Sequence, residues 1–410
     1  MAKAKKLREG FTTGTAASAA AAAAVKLLLT GGSSQAVSVA LPPFSGDARG
    51  NIQRLTVPVS ACSRTAAAQA AAQVVKDGGD DPDATHGSVI QAHVTLCSAP
   101  PPAEDTWRGR RITISAQTMT GIAQALDNGD GSLHRASQCL DIHIYGGTGV
   151  GVVTLPGLPV PPGEPAINPE PRRQIAAAVL EQCARHGYSG GVEVTICVPD
   201  GEERAVRTFN PRLGIRGGIS ILGTRGTVKP YSHGAWRATI VQGMKVARTT
   251  GAQTVYLSTG RRSERLLMQL HPHEPETAFV QVADFAEFSL RQAAQEGFEH
   301  IVWGCFFGKL VKLGEGHSYT HAHAAQIDFR TLAQACRHAG LEEELAQQVA
   351  AANTARHALD IMEHSAALPR VLKALAVKAL KAARNHTGTA PALTVHLFDF
   401  DGRHLAQAHD

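Results

Sequence analysis

The sequence predicts a two-domain protein of mixed α/β and α+β class: an N-terminal α+β domain on a mixed or largely antiparallel sheet, then a Rossmann-like parallel α/β domain with a helical extension. Three observations carry this reading. Short runs of alternating apolar and polar residues dominate the first half, the period of half-buried strands. From about Trp236 helix-length runs alternate with short apolar runs, an order that implies right-handed crossovers and a parallel sheet. The pattern changes after Asn210, so the expected domains are 1–211 and 212–391. The terminal hairpin over 392–410 is expected to return to a sheet edge, with the first domain as the candidate.

The first element is an alanine-rich run. Lys3, Lys5, Lys6 and Arg8 precede it as they would in a secretory leader, but the polar stretch Gly10 to Thr15 intervenes and Lys26 interrupts the run. It reads as a helix from Ala16 to Leu29, capped by Thr15 and closed by Gly31-Gly32. Strands are expected over Val37 to Leu41, Leu55 to Val59, Val89 to Leu96, Ile112 to Ser115 and Ile142 to Tyr145, with turns at Asp77 to Asp83 and Cys97 to Asp105. A helix from Arg172 to His186 and strands Val192 to Val198 and Ala205 to Phe209 complete the first half.

The second half predicts a helix ending at Arg248, strand Thr254 to Ser258, helix Ser263 to Leu270, strand Phe279 to Val282, helix Phe285 to Glu296 and strand Ile301 to Trp303. Asp328 to Arg384 is rich in helix formers, with breaks at Gly340 and Pro369. Leu393 to Phe400 alternates, and Asp401-Gly402 offers a hairpin turn.

Composition narrows the function classes. A chain of 410 residues with 43% hydrophobic content can fill a sizeable core in each of two domains. Its net charge of +5 and pI near 8.8 suit an anionic small molecule but lack the clustering that nucleic acid requires. Seven scattered cysteines with no CxxC pair fit a reducing, cytoplasmic compartment. No run after the first helix is apolar for long enough to span a bilayer, so neither a membrane nor nucleic acid is an expected partner. The sequence leaves a homo-oligomer open.

Several strings could carry chemistry. Lys76 to Gly87 holds Asp80, Asp81 and Asp83 within four residues, followed by Thr85 and His86. Such carboxylates repel unless solvent, a cation or a substrate group offsets them; a solvated turn is the simpler reading, and the calcium-loop spacing is absent. Tyr145 to Val153 carries Gly147 and Gly149 in a glycine-rich exit from a strand, able to bring backbone amides close to a ligand. Glu164, Asn168, Arg172 and Arg173 lie on a proline-fixed loop entering a helix. Arg212, Gly218, Ser220, Gly223 and Thr224 lie in a glycine-bracketed apolar strand at the expected domain junction. Gly260 and Arg261, and Gly304, Gly308 and Lys309, follow presumed parallel strands at the end where open α/β sheets bind ligands. Neither string is a Walker loop or a full dinucleotide fingerprint. His317, His321 and His323 have loose metal-ligand spacing, but only the first pair would share a helical face, so no metal is assigned.

In order along the chain, TTGT at Thr12 to Thr15, KDGGDDPDATHG, GGTGVGVVTLPGL, GEPAINPEPRR, NPRLGIRGGISILGT and FGKLVKLGEGH resemble the motifs of the CbiD family over nearly the whole length. The resemblance implies transfer of a methyl group from S-adenosyl-L-methionine to C-1 of cobalt-precorrin-5B, giving cobalt-precorrin-6A in cobalamin biosynthesis. The implied substrate is a cobalt-containing tetrapyrrole. On that basis Thr13, Asp80, Asp81, Asp83, Thr85, His86, Gly147, Gly149, Glu164, Asn168 and Arg212 are expected on the substrate side, with Asp81 and His86 as catalytic candidates. Gly218, Ser220, Gly223, Thr224, Gly260, Arg261, Gly304, Gly308 and Lys309 are expected on the cofactor side, across an interdomain cleft. The chain departs from the family pattern at Ala16, at Lys229, at Thr259 to Arg262, at Ala283 to Phe285 and at Thr320 to His323. A divergent member that binds a tetrapyrrole or metal for another step or as a carrier is the alternative. A nucleotide-dependent enzyme using Gly308-Lys309 is a third reading.

Overall fold

The computed structural model describes residues 7–44, 52–97, 111–127 and 129–410. Lys3, Lys5, Lys6 and the expected turn beyond Cys97 lie outside the described residues. The chain divides into two compact units, Met1–Ser232 and His233–Asp410.

The first unit is built on a six-stranded sheet in the order Ala61–Ala66, Gln69–Val75, Val89–Cys97, Gly190–Cys197, Leu140–Gly146, Ile112–Thr113. Every pairing is antiparallel except that of Gly190–Cys197 with Leu140–Gly146. A parallel pair needs a long crossover, and the Pro169–Arg185 helix lies between those two strands in sequence. Alternate residues such as Ala72, Ile90, Val94, Ile142 and Val194 are buried in one core with the Thr13–Thr30 helix. The strand Gln69–Val75 shows packing overriding propensity. Its alanines favour helix, yet the two-residue period of buried Ala70, Ala72 and Val74 fits the sheet.

The Thr13–Thr30 helix is long and apolar enough to cross a membrane by composition alone, but 78% of it is buried within the fold. Its cap is Thr12, not Thr15. Thr12 is extended and its hydroxyl accepts the Thr15 N–H at 3.2 Å, while the Thr15 hydroxyl donates to the Gly226 carbonyl at 2.7 Å. Gly31 closes the helix in the left-handed conformation, its N–H reaching the Leu27 carbonyl.

Two expectations are corrected here. Ala205 to Phe209 is not a strand: Gly201–Ala205 is a short helix with Glu202 and Glu203 in its first turn, favourable near a helix N-terminus. The segment from Arg212 to Ser232 stays with the first unit. Val152–Val153 pairs with Ile215–Arg216, Gly149–Val150 with Gly218–Ile219, and Gly10–Phe11 with Thr227–Val228. The glycine-rich change after Asn210 marks close packing, not a linker.

The second unit carries a five-stranded sheet in the order Phe279–Gln281, Thr254–Ser258, His300–Phe306, Ala392–Phe398, His404–His409. The first four strands are parallel and the last is antiparallel. The terminal hairpin therefore completes this sheet, not the first unit's. Its alternating Leu393, Val395 and Leu397 are buried in the second unit's own core with Trp303 and Leu375. Helices Phe329–His338, Glu343–Ala350, Ala355–Met362 and Leu368–Thr387 form the extension. Pro369 begins the last helix and does not break it, because the first turn has no intrahelical use for its N–H.

A histidine-rich face forms where the hairpin joins. His396 is 3% exposed, with Nδ1 3.0 Å from His404 Nε2 and the ring of His271 5.7 Å away. Burial, then the neighbouring His404, His271, His300 and His409, push its pKa down to about 4. An unfolded histidine titrates near 6.5, so between these values the unfolded chain takes up a proton that the folded chain refuses. The stabilising difference is present above about pH 6.5 and is lost as the pH falls toward 4, by roughly 3 kcal/mol in total. The urea midpoint followed by tryptophan fluorescence is expected to drop steeply across this window, and less steeply in His396→Gln. Parallel profiles for the two proteins would contradict the assignment.

Candidate functional site

In the first unit the acidic loop is held by partners from its own chain. Lys76, 2% exposed, pairs with Asp83, whose other oxygen accepts the Thr85 N–H at 2.7 Å and hydroxyl at 2.6 Å. Burial would raise the Asp83 pKa, but Lys76 and the Thr85 bonds outweigh it and hold the carboxyl below its ordinary value. Asp77 pairs with Arg8, whose hydrogen bonds bring it to about 2. Asp80 accepts the Arg8 backbone N–H at 2.7 Å and Asp81 accepts the Tyr231 N–H at 2.9 Å. Arg204 ties down the far end through the carbonyls of Ala84 and His86. The His86 Nδ1 accepts the Gly78 N–H at 2.9 Å, which leaves Nε2 as the protonated nitrogen of the neutral ring on a half-exposed side chain.

Glycines let Gly10 close onto this loop and the remaining strings close onto one another. A Cβ on Gly10 would collide with the backbone of Asp77 to Gly79, and one on Gly149 with the Val198 carbonyl. Gly218 stacks on the Gly149 backbone, Gly223 on Thr12 and Gly147 on Cys197. The Thr13 hydroxyl accepts the Leu222 N–H at 2.9 Å, and the Asn168 N–H donates to the Ile221 carbonyl at 2.9 Å. Ser220 donates to Asn210 at 3.2 Å, and Arg172 holds Glu164 at 2.8 Å.

In the second unit, Ser258 ends its strand with a hydroxyl that is fully buried and has no hydrogen-bond partner among the described residues. Gly260 follows with open space, among the described residues, where a side chain would stand, and Phe306 at the end of its strand stacks on Phe400, just past the end of the neighbouring strand, with centroids 4.5 Å apart. Lys309 pairs with Asp284 and reaches the Thr320 carbonyl at 3.2 Å, so it does not present a free cation to a phosphate. Gly304 makes room for Leu267, and Gly308 lies against Ala355. His317 pairs with Glu315 at 3.4 Å, and the His321 and His323 rings are 5.4 Å apart. Among the described residues no three metal-ligating side chains converge.

A family model described as CbiD matches residues 1–230, and one described as CbiD, C-terminal domain, matches residues 319–409. The chain belongs to the CbiD family. A cobalt-precorrin-5B C(1)-methyltransferase from Nitratidesulfovibrio vulgaris is 48% identical over 98% of this chain and 93% of its own. One from Geobacillus kaustophilus is 39% identical over the whole chain and 96% of its own. A crystal structure of the cobalamin biosynthesis protein CbiD from Archaeoglobus fulgidus is 25% identical, covers 74% of this chain and 78% of its own, and aligns with a TM-score of 0.35.

Among the CbiD-family strings, the structure gathers Thr13, Asp80, Asp81, Asp83, Thr85, His86, Gly147, Gly149, Glu164 and Asn168 into one unit, as it does Arg212. It places Gly218, Ser220, Gly223 and Thr224 in that unit too, whereas Gly260, Arg261, Gly304, Gly308 and Lys309 belong to the other. Sequence reasoning passed over Arg8, Lys76 and Arg204 as partners of the acidic loop. For Arg8 and Lys76 the signal was available in the charge count, since four carboxylates in one loop call for cations; Arg204 binds carbonyls of the loop and its carboxylate partner is Asp200, so it left no such signal.

Proposed function

We propose that this chain is a cobalt-precorrin-5B C(1)-methyltransferase that uses S-adenosyl-L-methionine and gives cobalt-precorrin-6A, as a cytoplasmic enzyme of cobalamin biosynthesis. The observation that carries the reading is identity of 48% to a relative of that name across nearly the full length of both chains. The first unit is the tetrapyrrole side, and the second is a Rossmann-like donor domain whose strands 254–258 and 300–306 end at the ligand edge.

The second unit's residues suit an adenosyl group. Ser258 offers an unpaired buried hydroxyl, Gly260 offers backbone without a side chain, and the Phe306–Phe400 pair offers an apolar wall for a base. When bound, S-adenosylmethionine supplies a sulfonium methyl open to a carbon nucleophile. On the substrate side, His86 is set to donate through Nε2 to a ring carboxylate, and the acidic loop fixes that donor in place. The chain's contribution to rate is mostly alignment of the ring carbon with the methyl, and exclusion of water.

Calorimetric titration with S-adenosylmethionine tests the donor side. Gly260→Val is expected to weaken binding by at least about tenfold, with the fold unchanged by circular dichroism. Equal affinity in the variant and the parent, or no binding by the parent, would contradict the placement.

A further inference from the structure

We propose that Tyr231 is the aromatic platform on which the flat face of the tetrapyrrole rests, a role that depends on the substrate reading above. A conjugated macrocycle with carboxylates on its rim asks for an aromatic face with cations beside it. Tyr231 is 67% exposed, while Phe11, Phe44 and Tyr145 of the same unit are buried. Among the described residues of the first unit it is the one exposed large aromatic. Burial of apolar area is the main drive to fold, so a ring left outside contributes nothing to the core.

The backbone shows that the ring's place is imposed. Tyr231 has φ 56, in the left-handed region that a bulky side chain rarely enters. Two contacts keep it there. Its N–H donates to Asp81 Oδ1 at 2.9 Å, and Thr227–Val228, just upstream, is paired to Gly10–Phe11. Strain of this kind persists where the surroundings over-determine a residue, commonly at ligand-holding positions. The acidic loop thus presents the ring, and exposed Arg225 and Lys229 lie on the same short segment to receive rim carboxylates. The role also gives Asp81 a function without direct substrate contact: it is the positioning residue for Tyr231.

Glycine adopts φ 56 without penalty, so Tyr231→Gly removes the ring while relieving the backbone. Its melting midpoint is expected to equal or exceed the parent's. For cobalt-precorrin-5B its KM is expected to rise by about tenfold or more, with kcat within about twofold, because stacking acts on binding. A titration of the same compound followed by visible absorbance is expected to show the same loss of affinity, and Tyr231→Phe is expected to restore both. The platform is overturned if Tyr231→Gly keeps the parent's KM and affinity, if Phe loses as much as Gly, or if the glycine variant melts lower. A parent chain that neither binds nor methylates cobalt-precorrin-5B would overturn the substrate reading and the platform together; unchanged binding in the glycine variant of an active parent overturns the platform alone.

Discussion

Gly149→Ala is expected to destabilise the first unit severely. Gly149 has φ +72, which any side chain resists, and an added Cβ would enter the Val198 carbonyl oxygen. The obstacle is backbone on both sides, since Gly149 also lies against Gly201 and Gly218. No flexible side chain can swing away, so the Gly149–Gly218 pairing and the Gly201–Ala205 helix would have to separate. A loss above about 4 kcal/mol is expected, a large share of the roughly 5–15 kcal/mol that holds a typical domain. Gly217→Ala is the control. Its φ of +76 is as unfavourable, but none of the described residues comes within 4 Å of the added Cβ, so only the backbone penalty of about 1–2 kcal/mol applies. Urea denaturation and soluble yield measure the difference, and equal losses in the two variants would refute the close-packing explanation of this string.

Lys76→Met is expected to cost about 3–5 kcal/mol, because it leaves the Asp83 carboxylate without its cation at a largely buried position. Asp83 would keep its bonds from Thr85 but lose the charge that offsets its desolvation. Adding Asp83→Asn should recover much of the loss, since the amide oxygen can still accept from Thr85 and carries no charge. The pH dependence has a definite sign. In the parent the Asp83 pKa is below its unfolded value, so the pair's contribution is present above about pH 4 and disappears as the pH falls through the folded value. In Lys76→Met the deficit should therefore narrow in acid, where the lone carboxyl can be buried neutral. A deficit that stays constant with pH would mean that lost packing, not the unpaired charge, is responsible.

Periodicity made much of the fold legible. Thr254–Ser258 and the alternation around it follow from strand and helix periods that local burial enforces, and the parallel pairing follows from the helices between. The strand Gln69–Val75 was hidden because alanine carries little apolar contrast, and its state is decided by what packs on it. The unit boundary was displaced because glycine-rich segments look alike whether they link domains or interlock. Only the pairings of Gly10–Phe11 and Gly149–Val150 separate the two cases. The acidic loop was visible as a string, but its meaning was not. Spacing shows four carboxylates, while what answers them is Arg8 for Asp77, Lys76 for Asp83 and the backbone N–H groups of Arg8 and Tyr231 for Asp80 and Asp81, with Arg204 holding the loop's carbonyls. Tyr231 carries no motif, and its interest comes from a backbone angle and an exposure that sequence does not encode locally.

The most direct measurement of the central claim is a turnover with cobalt-precorrin-5B and S-adenosylmethionine carrying a ¹³C-labelled methyl group. The product is followed by mass spectrometry and carbon NMR. The account predicts a gain of one labelled methyl per macrocycle, bonded to C-1, with stoichiometric S-adenosylhomocysteine. Purified, folded chain that binds both compounds yet transfers no label, or places it on another carbon, would contradict the account.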